Sequence, residues 1–304
     1  MRLKVRQVGC TAMLLAAAAL WPVAAGAITV DGQLDPSYTL VSTQTNMTVA
    51  KDSRGLATFS NGDELDAAYA AIDNGVLYLF FTGNLMDVID GANPKTDSGL
   101  LNVFIDSQPG GQNTLISDSP SNLTSRYPGL TFDTAFTPDY WIQFAPGGAL
   151  EVSFTRSAWY GTLPTAGGGV SYLLGTGTNA GAPGTLSGGT NPYGIQATID
   201  NRNTAGVAAG CGAGSGAGVT TGVELAIPLA AIGSPTGCIG VSAFVDGYVP
   251  TNQVLPPVPA GTCSMPLPAS LNFAGIPGNQ FASVCLGATA THSATWGSLK
   301  AIYR

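Results

Sequence analysis

One histidine, three glutamates and five cysteines limit the chemistry open to this chain of 304 residues. His292, in "ATHSATWGS", is the sole imidazole, and no G-x-S-x-G elbow accompanies it, so a Ser–His–acid hydrolase cannot be assembled from recognisable parts. Glu64, Glu151 and Glu224 fall on separate segments, and no Asp stands in a recognisable acid–base pair with them. An atypical carbohydrate-active enzyme is therefore the third choice of function. Haem would have to draw on Met47, Met86, Met265, His292 or Lys300, without a C-x-x-C-H attachment motif; methionine in so apolar a chain is ordinarily core filler.

Oxygen ligands are more plentiful. Asp31 and Asp35 in "DGQLD", and Asp106 ahead of "SQPGGQN", could join the amides of Gln112 and Asn113 around a hard cation, which makes calcium the one cofactor to consider. Asp before Gly more commonly caps a turn through local hydrogen bonds. Sugar stacking needs flat aromatic faces near solvent. Trp159 and Tyr160 in "SAWYGTLP", Tyr193 in "NPYG" and Tyr127 in "SRYPG" are the candidates, each expected where a strand gives way to a loop. Trp159 and Tyr160 are adjacent, so an extended backbone sends them to opposite sides and only one can belong to a given platform. Trp141 and Trp296 read as core residues.

These residues need a scaffold, and its export is written at the N-terminus. Arg2, Lys4 and Arg6 precede an apolar run, Met13 to Ala25, and "VAAGA" offers a cleavage site after Ala27. Residues 1–27 are expected to be a signal peptide and residues 28–304 a single domain with no membrane-spanning segment, secreted to the cell surface, the extracellular space or the periplasm. Loss of the three basic leader residues takes the formal charge from −7 to −10. So acidic a chain has no electrostatic footprint for nucleic acid or anionic lipid. Cys211, Cys238, Cys263 and Cys285 remain after cleavage, an even count that predicts two disulfides in an exported protein. The pairs nearest in sequence, Cys211–Cys238 and Cys263–Cys285, are the expected ones. Zinc has no C-x-x-C and one His to work with.

Gly is abundant (41 residues), Pro numbers 20, and the apolar runs are short and rich in β-branched and aromatic residues, which argues an all-β fold. "LDAAYAAI" and "VLYLFFTG" flank Asp73-Asn74-Gly75 as a hairpin. Its second arm is apolar on both faces, so it is expected at the middle of a covered sheet. Further strands are read at 100–106, 140–144, 149–155, 193–200, 222–229, 239–249 and 296–304. "IPLAAIG" reads as a short helical turn stopped by Gly233, and residues 175–192 and 207–218 as long Gly-rich loops.

Taken together, "VDGQLDPSY" (30–38), "AAYAAIDNGVLYLFF", "NVFIDSQPGG" (102–111) and "VELAIPLAAIG" (223–233) resemble, in order and spacing, the DOMON-like, family-nine carbohydrate-binding-module type of sandwich. "NVFIDSQPGGQNTL", "LSGGTNPYGI" and "TTGVELAIPLAAIG" are also similar to exported bacterial proteins that often carry a PEP-CTERM sorting tail, although "GSLKAIYR" does not match that tail. The resemblance implies an antiparallel, jelly-roll-like two-sheet β-sandwich and, more loosely, a binding role. The expected function is a secreted, non-catalytic sandwich that binds a glycan or matrix component. Its partners would be a polysaccharide or the cell-surface matrix. The alternative is a surface-assembly protein that associates with copies of itself.

Overall fold

A computed structural model describes residues 27–47, 64–85, 99–116, 127–146, 155–178, 184–201, 212–246, 250–262, 265 and 271–287. Thirteen strands occupy them. In chain order they begin with β1 (Thr39–Thr43), β2 (Glu64–Asp73), β3 (Val76–Asn84), β4 (Leu100–Asp106) and β5 (Tyr140–Ala145). Next come β6 (Thr155–Thr162), β7 (Ser171–Thr178), β8 (Ser187–Gly188) and β9 (Gln196–Ile199). The last are β10 (Gly222–Pro228), β11 (Cys238–Asp246), β12 (Pro250–Leu255) and β13 (Ala282–Cys285). A five-stranded antiparallel sheet, β1-β2-β3-β10-β9, packs on an eight-stranded one, β12-β11-β4-β5-β6-β7-β8, in which β13 also lies along β11. The protein is a β-sandwich.

The β2–β3 hairpin turns through Asn74 and Gly75, both at positive φ (49° and 77°), the signature of a two-residue primed turn that Asn-Gly adopts most readily. β3 is the middle strand of its sheet, as its two apolar faces require. Leu77, Leu79 and Phe81 enter the core between the sheets, where Leu101, Val103 and Ile105 of β4 and Val241 and Val245 of β11 meet them. On the other face Phe80 is fully buried beneath Tyr38, with ring centroids 5.6 Å apart. Burying such a side chain stabilises the fold by about 1.5–3 kcal/mol.

The segment that carries Tyr38 is fastened by a buried carboxylate. Glu224 on β10 accepts the N–H groups of Asp31 (2.8 Å) and Gly32 (2.9 Å) on one oxygen and the Tyr38 hydroxyl (2.7 Å) on the other. Gly32 stands at φ 83°, and a Cβ there would collide with the Asp200 backbone, so only glycine lets the turn approach. A second latch is made of amides. Gln44 donates to Val254 O, Asn46 to Val258 O, and Asn252 to both Met47 O and Thr262 O, while Gln253 Oε1 accepts Leu65 N–H. This network ties the chain after β1 to β12 in the opposite sheet.

Over the outer face of the eight-stranded sheet lie residues 112–116, 127–136, 254–258 and 271–281. Phe104, Trp141 and Phe244 project into a second cluster with Tyr127, Phe132, Phe136 and Phe273.

Several sequence expectations change. Residues 175–192 are not one loop, since β7 runs to Thr178 and β8 pairs with it. Its four strands β5–β8 form a continuous antiparallel run whose Gly-rich members carry little apolar pattern. The strand β6, Thr155–Thr162, was not read from the sequence, and the strands read at 149–155 (apart from Thr155) and 296–304 lie outside the described residues. Cys238 bonds Cys285, not Cys211, because β11 and β13 run antiparallel with these two residues directly opposite. Cys211 and Cys263 lie outside the described residues, as does the leader. The 3-10 turn Leu229–Ile232 stands where "IPLAAIG" placed it, ended by Gly233 at φ 76°.

Candidate functional site

Across β5, β6 and β7 the register sets tyrosines side by side. Tyr160 on β6 is paired directly with Tyr172 on β7 and with Ile142 on β5, which puts Tyr140, two residues before Ile142, on the same face. Ring centroids are 5.4 Å apart for Tyr160–Tyr172 and 6.1 Å for Tyr140–Tyr160. These strands lie where the larger sheet outreaches the smaller. β9, the last strand of the five, lies against β6, so β7 and β8 extend past it.

A fourth ring comes from the turn before β9. Asn191-Pro192-Tyr193-Gly194 has Asn, Pro and Gly at the positions a type I turn favours. Asn191 closes it by accepting Ile195 N–H (2.9 Å) and donating to Ile195 O (2.8 Å). Tyr193 is held 6.5 Å from Tyr160 and is 43% exposed. Tyr140 and Tyr172 are half-buried, whereas Tyr160 is buried at the base and donates its hydroxyl to Ala231 O of the 3-10 turn at 2.8 Å. Burial raises the Tyr160, Tyr140 and Tyr172 phenols above their ordinary value, and the Asp139 charge adds to the rise at Tyr140. These three tyrosines therefore present neutral rings and hydroxyls.

Two half-buried carboxylates stand where β4 ends and just before β5 begins. Asp139 Oδ2 accepts the N–H groups of Ser107 (3.0 Å) and Gln108 (2.9 Å), and Asp106 Oδ2 accepts Thr137 N–H (2.8 Å). Burial pushes both carboxyls up, these hydrogen bonds pull them down, and the Asp106 charge raises Asp139 further. Ser107 Oγ donates to Ile232 O and Gln108 Nε2 to Gly233 O, so the 3-10 turn that holds Tyr160 also holds this loop.

Of the four aromatic candidates, the structure brings Tyr160 and Tyr193 together. Trp159 lies within β6, not in a loop, and packs half-buried against the cluster on the opposite face of the sheet, as adjacent residues of a strand must. Tyr127 is a correction: it is fully buried, edge-on to Trp141 (6.3 Å) and Phe244 (5.7 Å), because the covering loop folds its apolar residues inward. Trp141 is a core residue as read, while Trp296 and His292 lie outside the described residues. Tyr140 and Tyr172 went unread, since "DYWIQF" and "VSYLLG" reveal a shared face only once β5, β6 and β7 are paired in register.

The three aspartates proposed for calcium act as turn acceptors. Asp31 Oδ1 takes Gln33 N–H and Asp35 Oδ2 takes Thr29 N–H, both at 2.9 Å, and Asp106 holds Thr137. The amides of Gln112 and Asn113 donate to the carbonyls of Pro164, Phe132, Asp133 and Phe136. Among the described residues no three His, Cys, Asp or Glu side chains converge as metal ligands. Glu224 is wholly buried, and burial pushes its carboxyl up to about 7 against the lowering effect of Gly32, Tyr38 and Asp31. Asp66, equally shut in, is pushed up to about 7 by burial.

Compared with family models, curated proteins and solved structures, the chain matches none. The likeness to DOMON-like sandwiches therefore rests on the sequence motifs.

Proposed function

We propose that this is an exported, non-catalytic β-sandwich that binds a glycan or extracellular matrix component at the tyrosine patch, with residues 1–27 acting as its cleaved signal. The observation that carries this reading is the group of three accessible rings, Tyr140, Tyr172 and Tyr193, backed by the buried Tyr160. Phenol rings offer an apolar face for the C–H side of a sugar and a hydroxyl for its rim. A binding role also suits the carboxylates. The two that burial moves to about 7, Asp66 and Glu224, are closed off from solvent and so from any substrate.

Affinity electrophoresis of the mature chain through gels containing soluble polysaccharides tests the reading. One polysaccharide should retard the wild type, and Tyr193→Ala should lose about tenfold in affinity with an unchanged circular dichroism spectrum. A variant that binds every retarding polysaccharide as well as the wild type would sink the assignment of this site.

Self-association is a second reading, favoured by one feature. The outer edge of β1 and the edge of β13 flank an open groove of about 600 Å³, where Leu40 is 53% exposed and the strand sequences "TLVST" and "ASVC" carry no charge. Bare neutral edges are templates for pairing with another chain. Light scattering during size-exclusion chromatography decides it: ligand-free oligomers support assembly, and a monomer at all concentrations removes it.

A further inference from the structure

Two cysteines are left over by the strand pairing. Of the five, Cys10 lies in the leader and Cys238 is bonded to Cys285, which leaves Cys211 and Cys263. Each of these is joined through the chain to a described neighbour, and the two neighbours meet. Gly212, which follows Cys211, accepts the Met47 N–H on its carbonyl at 3.0 Å, and Ala213 pairs with Asn46 in an antiparallel bridge. Thr262, which precedes Cys263, donates its N–H to Asn46 Oδ1 at 3.0 Å. The side-chain nitrogen of Asn252 donates to Met47 O (2.9 Å) and to Thr262 O (2.6 Å), so these two carbonyls share one donor. Gly212 and Thr262 are thus both pinned to Asn46 and Met47.

Consecutive Cα atoms stand about 3.8 Å apart, so neither cysteine backbone lies farther than that from its anchored neighbour. A disulfide asks for Cα atoms roughly 4.4–6.8 Å apart. Anchoring both neighbours on one dipeptide puts the two thiols within reach of each other. Cys238–Cys285 already requires an oxidant, and the same oxidant serves a second pair.

We infer that Cys211 and Cys263 form a second disulfide, which bolts the segment between β9 and β10 to the segment after β12. One thiolate attacks a disulfide oxidant, free or carried by an oxidoreductase, and the other thiolate then displaces it. Two protons and two electrons leave the protein, and the oxidant departs as two thiols. The bond joins the sheets, because β9 and β10 belong to the smaller one and β12 to the larger. It interleaves with Cys238–Cys285 along the chain and makes covalent the amide latch of Gln44, Asn46 and Asn252.

Disulfide mapping of the full chain, purified without reductant and with free thiols alkylated, tests this. No Lys or Arg lies between Arg202 and Lys300, so trypsin leaves all four cysteines in one fragment. Cleavage after Glu224, before Asp246 and after Phe273 separates them. The peptide holding Cys211 should be joined to the one holding Cys263, and the oxidised protein should run as a monomer on a non-reducing denaturing gel. Alkylated Cys211 and Cys263 overturn the inference, as does a bond from either to Cys238, to Cys285 or to a second copy. Cys211→Ser and Cys263→Ser, alone or together, should lower the thermal midpoint by the same amount, since each removes the one bond. Additive losses contradict it. In the double variant the Met47 amide, which donates to Gly212 O, should exchange its hydrogen about tenfold faster, while amides of β4 keep their rates. Unchanged exchange at Met47 overturns the tie to the latch. Should the variants fail to fold, the map of the wild type decides alone.

Discussion

Two aromatic clusters lie on opposite faces of the same sheet, and they are built to opposite ends. On the outer face of β4, β5 and β11, Phe104, Trp141 and Phe244 lie under loops, with Tyr127 and Phe273 completing a shell that excludes water. On the inner face of β5, β6 and β7, four tyrosines gather where the opposing sheet ends, and the outermost stands 43% exposed. Trp159 and Tyr160 are neighbours in the chain and belong one to each. The difference lies in what covers the sheet, not in the aromatic content of the strands. Carboxylates repeat the pattern: Glu224 and Asp66 are sealed, while Asp106 at the end of β4 and Asp139 just before β5 are half open.

The contrast can be broken most severely from the closed side. Trp141→Ala should cost about 3–5 kcal/mol, because the cavity it leaves is walled by packed rings and cannot collapse. Urea denaturation would register this as a lower midpoint, and ligand affinity measured on the remaining folded protein should be unchanged.

The sealed carboxylates come next. Folded Asp66 and Glu224 hold their protons up to about pH 7, from ordinary values of 3.8 and 4.5. Between roughly pH 4 and 7 the native state therefore binds more protons than the unfolded chain, and stability falls as pH rises through that window. Asp66 Oδ2 has no hydrogen-bond partner among the described residues, and nothing there compensates its ionisation. Asp66→Asn should flatten the decline, gaining on the order of 2 kcal/mol over the wild type at pH 8 and little at pH 4. Parallel denaturation curves at the two pH values would contradict this.

Tyr160→Phe probes the boundary between closed and open. It removes the bond to Ala231 O and should cost about 1 kcal/mol, with a small loss of ligand affinity as the 3-10 turn loosens. Tyr193→Ala, at the open end, should shift stability by less than about 0.5 kcal/mol while giving the largest loss of binding. A stability loss at Tyr193 as large as that at Trp141 would erase the distinction between the clusters.

Much of the fold could be read from sequence wherever a strand carried its own pattern. The β2–β3 hairpin, β4 and the Gly233-stopped turn are local: an Asn-Gly dipeptide, a run of β-branched residues and a glycine at positive φ each specify their own geometry. β7, β8 and β13 are short or Gly-rich strands defined by their neighbours, and no local signal marks them. The same limit governed the site. Tyr193 was legible because "NPYG" dictates a turn that exposes it. Tyr140 and Tyr172 were not, since their meeting depends on three strands falling into register. Tyr127 misled for the complementary reason: "SRYPG" reads as a surface turn, and only the aromatic cluster beneath it explains the burial. Sequence proximity likewise gave the wrong partner for Cys238, because strand pairing, not chain distance, brings Cys285 opposite.

The two latches bear on when the molecule can finish folding. Residues 31–38 wait on Glu224, and Asn46 bonds groups 212 and 216 positions further along. A ribosome delivers the early partners long before the late ones, so the first strands spend most of synthesis with polar groups that have nothing to satisfy them inside a core. Such long-range closure is slow compared with hairpin formation. Under the export proposed for this chain, that delay keeps it pliable until its last third has been made.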